Sequence, residues 1–525
     1  MTESRIYITT TIPYVNARPH IGHALELVQA DVLARHARQA GRAVRFQTGT
    51  DDNALKNVLA ARAAGVGVQE FVDRNAAAFT GLARPLSLSV DDTIRTSSDP
   101  RHPAGVRRLW QACAASGDLY CRHYTGLYCV GCEQFYTEAE LAGGRCPDHG
   151  TRPELVEEEN WFFRLSRYAV PLRAAIASRA LRIEPAQRRN EVLSFIDGGL
   201  DDFSVSRGVG RARGWGIPVP GDPSQVIYVW WDALGNYLTA LGYGGPTSAD
   251  LERWWTGASR RIHLVGKGVL RFHAVYWPAM LLSAGEALPT DIAVHDYLTV
   301  GGSKISKSRG PAADPAELAA RYGTDALRWW LLREVPRAGD TDFTAGRLVA
   351  RANDELANGI GNLVNRVVTM IHRYRDGHIS PPAATHTRAY ASTPAGALAG
   401  GAPALTAAVT EAADVIAEAL DGYAFRAATD AVWRIVVEAN RYIEHVRPWE
   451  LARAERDKGA GSEQLDAALG TLLRACRAIG NHLRPFLPDA AGRVTRQCEA
   501  DDAGSLPAPE PLLPRLDPIG GTPGA

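Results

Sequence analysis

The chain lacks any run of about 18 uncharged apolar residues, the length a helix needs to cross a bilayer. Its first residues, MTESRIYITT, also lack the basic, apolar, then small-residue order of a secretory signal. These absences predict a cytoplasmic protein without membrane contact. Cysteine is scarce, with seven in 525 residues and four of those outside any metal-ligand spacing, which excludes a disulfide framework. Charge of one sign is missing too: 58 Lys and Arg balance 58 Asp and Glu. Global attraction to nucleic acid is thereby excluded, leaving only local basic faces such as residues 207–213. Internal repeats are absent. What remains, 46% apolar and 22% charged residues, is the composition of a soluble globular protein long enough for three or more domains.

Residues 6–23, IYITTTIPYVNARPHIGH, organise the chain. Ile6 to Thr10 is a β-branched and aromatic run, and Ala24, Val28 and Val32 recur at helical spacing up to Gly41, so a strand feeds a helix. His20 and His23 stand at the helix start, where backbone N–H groups and the helix dipole favour an anion and two imidazoles can donate to one phosphate. This reads as a triphosphate site without a glycine-rich loop; taken alone, a capped helix start with solvated histidines is equally compatible. Val44 to Thr48 is a second strand, parallel to the first and ending at Gly49-Thr50-Asp51-Asp52. Ligands of open α/β sheets collect beyond such strand ends, so the acidic pair belongs near Tyr14 and the histidines and could hold an amino group; the other reading is that it caps a helix over 54–64.

Cys129-Val-Gly-Cys132 and Cys146-Pro-Asp-His149 form two pairs with two-residue gaps, thirteen residues apart, a spacing suited to closed, structural, tetrahedral zinc. Residues 225–230 and 262–265 read as buried strands that resume the parallel sheet, and Trp230, Ala233 and Tyr237 then share one helical face. Such a stripe serves as core or as an apolar pocket for a thioether. Gly301 to Arg309 is a glycine-containing loop with three cations, able to close on a triphosphate or to lie as a solvated surface loop.

His20-Ile21-Gly22-His23, followed about 280 residues later by Lys304-Ile305-Ser306-Lys307-Ser308, resembles the HIGH and KMSKS pair of class I aminoacyl-tRNA synthetases, with Ile in place of Met. Pro13-Tyr14 and Asn16, the zinc knuckle, Tyr228 to Ala233, Phe272-His273 with Trp277-Pro278-Ala279, and Tyr322 to Arg328 are similar to the methionyl-tRNA synthetases, over about residues 5–515. The resemblance implies an α/β fold: a Rossmann-type parallel sheet split by a zinc-binding insertion, followed by an α-helical anticodon-binding bundle. Its implied divisions are residues 1–115 and 223–295 for the two sheet halves, 116–222 for the insertion, 296–346 for the loop and stem-contact region, 347–500 for the bundle and 501–525 for a Pro-rich tail.

The implied activity is that of a methionine-tRNA ligase, with methionine, ATP and methionine-specific tRNA as partners, Mg2+ accompanying ATP and one structural Zn2+ held by Cys129, Cys132, Cys146 and His149. His20, His23, Lys304 and Lys307 take the catalytic positions; His20, His23, Lys267 and Lys307 bind ATP; Ile12, Tyr14, Asp52, Trp230, Ala233, Tyr237, Val269 and His273 correspond to the methionine pocket. Asn362, Arg366, Pro448 and Trp449 correspond to anticodon readers, and a Trp ring beside Asn and Arg suits stacking and edge recognition of an unpaired base. In the bundle, Leu356, Ile360, Leu363, Val364 and Val367 recur at three and four. Residues 377–402 read as a surface loop or linker, and the end beyond Leu506 as irregular, with residues 511–515 resembling a segment that closes the core. The lack of an appended dimerisation domain favours a monomer.

Several positions depart from the family pattern: Asn53-Ala54 replaces His-Gly, Gly268 replaces Asp, Asp296 replaces Gly and Pro311 replaces Asn. They cluster near the nucleotide and suggest a divergent or second copy, altered in inhibitor sensitivity or adenylation rate. An amino-acid-activating enzyme of a specialised pathway and a catalytically weak tRNA-binding paralogue are the alternatives.

Overall fold

The computed structural model describes residues 4–130, 134–147, 150–304, 313–378, 403–458 and 462–517. The chain forms two compact units, Met1–Arg84, Leu88–Tyr297 and Ile305–Pro315 making the first and Pro85–Ser87, Leu298–Lys304 and Ala316–Ala525 the second.

The first unit is built on a six-stranded sheet in the order Asp92–Arg95, Ala43–Thr50, Arg5–Thr10, Arg260–Gly266, Asp291–His295, Arg182–Glu184. Every pairing is parallel, with Ile8 opposite both Phe46 and Ile262. A parallel sheet is covered on both faces, which is why Ile6, Tyr7 and Ile8 read as a continuous apolar run and are all buried. The chain order reverses at Arg5–Thr10, and such a switch point opens a crevice beyond the carboxyl ends of the strands. Helix Ile21–Gln39 starts at that crevice.

Residues 225–230 do not resume the parallel sheet. The strand is Asp222–Ile227, antiparallel to Ser206–Gly208 and Pro218–Val219, and helix Val229–Thr239 begins directly after it. A short apolar run carries no information about its partner, so periodicity could not separate the two arrangements; the parallel sheet returns at Arg260–Gly266. The basic stretch 207–213 is likewise not a basic face. The Arg207 guanidinium is buried over the rings of Tyr128, Phe135 and Tyr228, and Arg211 pairs with Glu158, leaving Arg213 exposed. The insertion is a small antiparallel sheet in which Leu119–Cys129 pairs along its length with Glu154–Phe163.

The second unit is mainly helical from Ala345 onward. Leu356, Ile360, Leu363, Val364 and Val367 are all buried, as their spacing predicts. Leu512 and Leu513 pack into this unit without regular structure, fixed by the bond from Arg493 Nε to the Leu512 carbonyl at 2.9 Å. The predicted loop lies outside the described residues from 379 to 402. Among the described residues no helix is long and apolar enough to cross a membrane, and none of the cysteines is bonded to another.

Candidate functional site

The start of helix Ile21–Gln39 is capped by its own histidines. His20 Nδ1 accepts from the Gly22 N–H at 3.1 Å, and His23 Nδ1 accepts from the His20 N–H at 3.0 Å, a reciprocal capping box. The two rings stack with centroids 3.8 Å apart. An Nδ1 that accepts a backbone N–H carries no proton, so the ring proton of each neutral histidine sits on Nε2. Burial, then the neighbouring His20, hold His23 well below the usual imidazole range. Capping and anion binding are therefore compatible: the same bonds that close the helix turn the Nε2–H groups into fixed donors.

The aromatic group beside it is assembled by three segments. Trp230, at the start of helix Val229–Thr239, stacks on Phe272 at 3.8 Å and meets Tyr14 edge to face at 6.2 Å. A π-helical turn, Phe272–Tyr276, brings in His273, and such turns favour functional positions. His273 Nδ1 donates to the Val269 carbonyl at 2.9 Å, so Nε2 accepts from the Tyr237 hydroxyl at 2.8 Å. Burial lowers the His273 pKa to about 4 and pushes Tyr237 well up, so both are neutral near pH 7. Ala233 is buried, and Ile12 lies over Gly49, where a Cβ would come 2.3 Å from the Ile94 carbonyl oxygen; only glycine fits.

Asp52 is buried at the end of the second strand. Its Oδ2 accepts from Arg95 at 2.8 and 3.0 Å and from Ser97 at 2.7 Å, while Oδ1 has no hydrogen-bond partner among the described residues. Burial pushes the carboxyl up, opposed by Ser97, by Arg95 and by the Thr50 hydroxyl beside it. Asp51 bridges Tyr14 through the backbone, as the sequence predicts, and no side-chain cap forms on helix Leu55–Ala63. Arg95 and Ser97 were not among the sequence-derived site residues; their position at and just past the end of the neighbouring strand was the available signal.

On the other side of the crevice, Glu26 accepts from the Thr11 N–H at 2.6 Å and bonds His295 Nε2 at 2.9 Å. Burial opposes the His295 cation, but the Glu26 carboxylate outweighs it and pushes the imidazole upward. Lys267 Nζ sits 4.6 Å from the Tyr297 ring centre. The two departures here have local partners. A Cβ at Gly268 would lie 1.9 Å from the Tyr297 hydroxyl, so that phenol fills the space of a side chain, and Asp296 pairs with Arg188 instead of standing as a bare charge.

Cys129 and Cys146 are buried in one cluster with Tyr136, and the sulfur of Cys146 is 3.8 Å from the Tyr136 hydroxyl. Cys132, His149, Lys307 and Pro311 lie outside the described residues, as does the Lys304 side chain. In the second unit, Asn362 is exposed at the start of helix Asn362–Arg375, and Arg366, one turn on, lies 5.6 Å from the Trp449 ring centre. Trp449 is 37% exposed and follows Pro448, the first residue of its helix, so it is no core residue.

Comparison with known proteins adds to this geometry. The chain matches the family model "tRNA synthetases class I (M)" over residues 6–151 and 140–368, and "Anticodon binding domain of methionyl tRNA ligase" over 393–516. It is 40% identical to a methionine-tRNA ligase of Brucella suis, with 98% of each chain covered. Identity to the methionine-tRNA ligase of Mycobacterium bovis is 38%, over 93% of this chain and 91% of that one. Among solved structures, Mycobacterium tuberculosis methionyl-tRNA synthetase in complex with methionyl-adenylate superposes with a TM-score of 0.86 at 36% identity, covering 98% of this chain and 100% of that one.

Proposed function

The chain belongs to the methionyl-tRNA synthetase family and is a methionine-tRNA ligase, a class I aminoacyl-tRNA synthetase, and from that premise we propose how its residues divide the work. Methionine enters the group formed by Ile12, Tyr14, Trp230, Ala233, Tyr237, Val269 and His273, where flat rings suit an unbranched thioether. Its ammonium group meets Asp52 Oδ1, a reading supported by the lack of a protein partner for that buried oxygen among the described residues. The methionine carboxylate attacks the α-phosphorus of ATP; the new oxygen–phosphorus bond forms as the bond to the bridging oxygen breaks, and pyrophosphate leaves, with Mg2+ brought by ATP able to offset the phosphate charge when bound. His20 and His23 donate Nε2–H bonds to the phosphate oxygens, Lys307 neutralises the departing charge, and Lys304 and Lys267 support it. A terminal ribose hydroxyl of the tRNA then attacks the methionyl carbonyl and AMP leaves. The observation that carries this assignment is the capping of the helix by both Nδ1 atoms, which leaves each ring one donor, Nε2–H, directed away from the capped backbone.

Asn362, Arg366, Pro448 and Trp449 take the anticodon. Cys129, Cys132, Cys146 and His149 hold a structural Zn2+; two buried thiols sharing one cluster, each in a pair with a two-residue gap, suit that ion. Zinc there stabilises the small insertion and takes no part in the reaction. The protein works as a monomer in the cytoplasm. Residues 1–115 and 223–295 form the catalytic halves, 116–222 the insertion, 296–346 the loop and stem-contact region, and 347–500 the tRNA-reading bundle. Asn53, Ala54, Gly268 and Asp296 are variations on a working site, a reading supported by the partners of Asn53, Gly268 and Asp296.

Amino-acid-dependent exchange of labelled pyrophosphate into ATP, run with a full amino-acid panel, tests the reading. Exchange with methionine is expected. Exchange with a different amino acid alone would move the protein to a specialised activating enzyme, and binding of methionine-specific tRNA without exchange would leave a paralogue that only binds.

A further inference from the structure

Two segments that face each other across the amino-acid pocket have to keep a fixed separation. One is the turn holding Asp52; the other is the first turn of helix Val229–Thr239, holding Trp230 and Ala233. The turn is fixed from below, since Asn57 Nδ2 donates to the carbonyls of Asp51 and Asp52 at 2.9 Å each and Thr96 Oγ1 accepts from the Asp52 N–H at 2.8 Å. Its tie to the helix is Asn53: Nδ2 donates to Asp232 Oδ2 at 2.7 Å and lies 3.3 Å from the Thr96 carbonyl. The other Asp232 oxygen is held by His102 Nε2, and His102 Nδ1 is anchored 2.8 Å from Thr239 Oγ1, near the end of the same helix. Asp232 and His102 are 1% and 0% exposed, so neither carboxylate oxygen depends on solvent for a partner.

We propose that Asn53 and Asp232 are positioning residues that set the distance between the ammonium-binding carboxylate and the thioether-binding rings, and so select the amino acid by length. The inference rests on the functional reading above. Three features carry it. The bond joins the residue directly after Asp52 to a residue lying between Trp230 and Ala233. It is a hydrogen bond to a carboxylate, stronger than a neutral one and short enough to fix both ends. Ala54, next in the chain, packs against Tyr228 and Val229 with Tyr14 and Trp230 beside them, so a shift of the turn moves the pocket wall itself. A neutral amide is also the right donor here: a second carboxylate at position 53 would repel Asp232, and an alkyl group would leave a buried oxygen unpaired.

The test uses the full-length protein and pyrophosphate exchange, comparing Asn53→Ala, Asn53→Asp and Asn53→His. Asn53→Ala is expected to raise KM for methionine about tenfold while KM for ATP stays within about twofold, and to narrow the preference for methionine over shorter aliphatic amino acids. Asn53→Asp should raise KM for methionine further. Asn53→His, whose Nδ1–H stands close to where the asparagine Nδ2–H stood, should restore it to within about threefold. Equal rises in both KM values, or an unchanged KM for methionine in Asn53→Ala and Asn53→Asp, would overturn the proposal. Melting temperatures of the three variants separate this from loss of fold: the lower KM for methionine in Asn53→His than in Asn53→Ala must persist at matched stability. If the unaltered protein shows no methionine-dependent exchange, the functional reading itself falls and takes this inference with it.

Discussion

The proposed amino-acid pocket and the Arg366–Trp449 patch use the same materials, an indole beside nitrogen-bearing side chains, and hold them in opposite ways. In the pocket Trp230 lies flat on Phe272, and His273 is bonded at both ring nitrogens. On the patch Trp449 is 37% exposed, and the Arg366 guanidinium beside it is tied at 3.0 Å to a Glu444 side chain that is 65% exposed. A buried, doubly bonded ring is set before its ligand arrives, which suits choosing among small side chains that differ by a methylene. An exposed ring with an ion-paired neighbour is free to rearrange, which suits receiving an unpaired base whose partners come with it.

The largest break in this contrast should come from His273→Ala. Removing the imidazole leaves the Tyr237 hydroxyl without its 2.8 Å acceptor and opens a void in a packed cluster, changes that together cost roughly 2–5 kcal/mol. Thermal unfolding should shift down by several degrees and KM for methionine rise at least tenfold. An unmoved KM would mean the ring is ordinary core.

Acid should distinguish the two regions next. Burial lowers the His273 pKa to about 4 from 6.5, and His23 and His263 are also held well below the imidazole range by burial. The unfolded chain then binds more protons than the folded one between about pH 6.5 and 4, so stability is present above that window and falls as pH drops through it. His273 alone accounts for roughly 3 kcal/mol across the window. The melting temperature measured from pH 7 to 4 should fall, with a shallower slope in His273→Gln, whereas Trp449→Ala should leave the slope unchanged.

How much of this was legible beforehand follows from what each pattern encodes. The strand Arg5–Thr10, the helix after it and the buried row Leu356 to Val367 follow from local periodicity, although the strand's ladder partners, Ala43–Thr50 and Arg260–Gly266, lie elsewhere along the chain. His20 and His23 were legible as a pair; their tautomer was not, because it depends on which nitrogen accepts a backbone N–H. Residues 225–230 read as part of the parallel sheet because a short apolar run does not say whether it pairs with near neighbours in the chain, as it does with Ser206–Gly208 and Pro218–Val219, or with distant strands. Arg188 and Asp296 are 108 residues apart, and Tyr297 meets Gly268 across a strand end, so no local pattern announces that an unusual residue has a compensating neighbour.

On the patch, Trp449→Ala removes a stacking platform worth roughly 1–3 kcal/mol per base. KM for tRNA in aminoacylation should rise by about one to two orders of magnitude, while tRNA-independent pyrophosphate exchange stays at the unaltered rate. Loss of exchange as well would mean that the indole supports the fold of the second unit.

The smallest effect, and the sharpest for the contrast, is expected of Glu444→Gln. An ion pair this exposed contributes about 0–1 kcal/mol, and screening by salt reduces it further. Two consequences oppose each other in the variant: Arg366 loses a partner that holds it over Trp449, and the patch loses a negative charge that repels the tRNA backbone. With the first term this weak, the second should win, so KM for tRNA should fall by up to about threefold at low salt, and the difference should vanish as salt rises toward 0.5 M. A rise of tenfold or more would show Arg366 to be as strictly pre-set as His273, and the two regions would then be built on one plan.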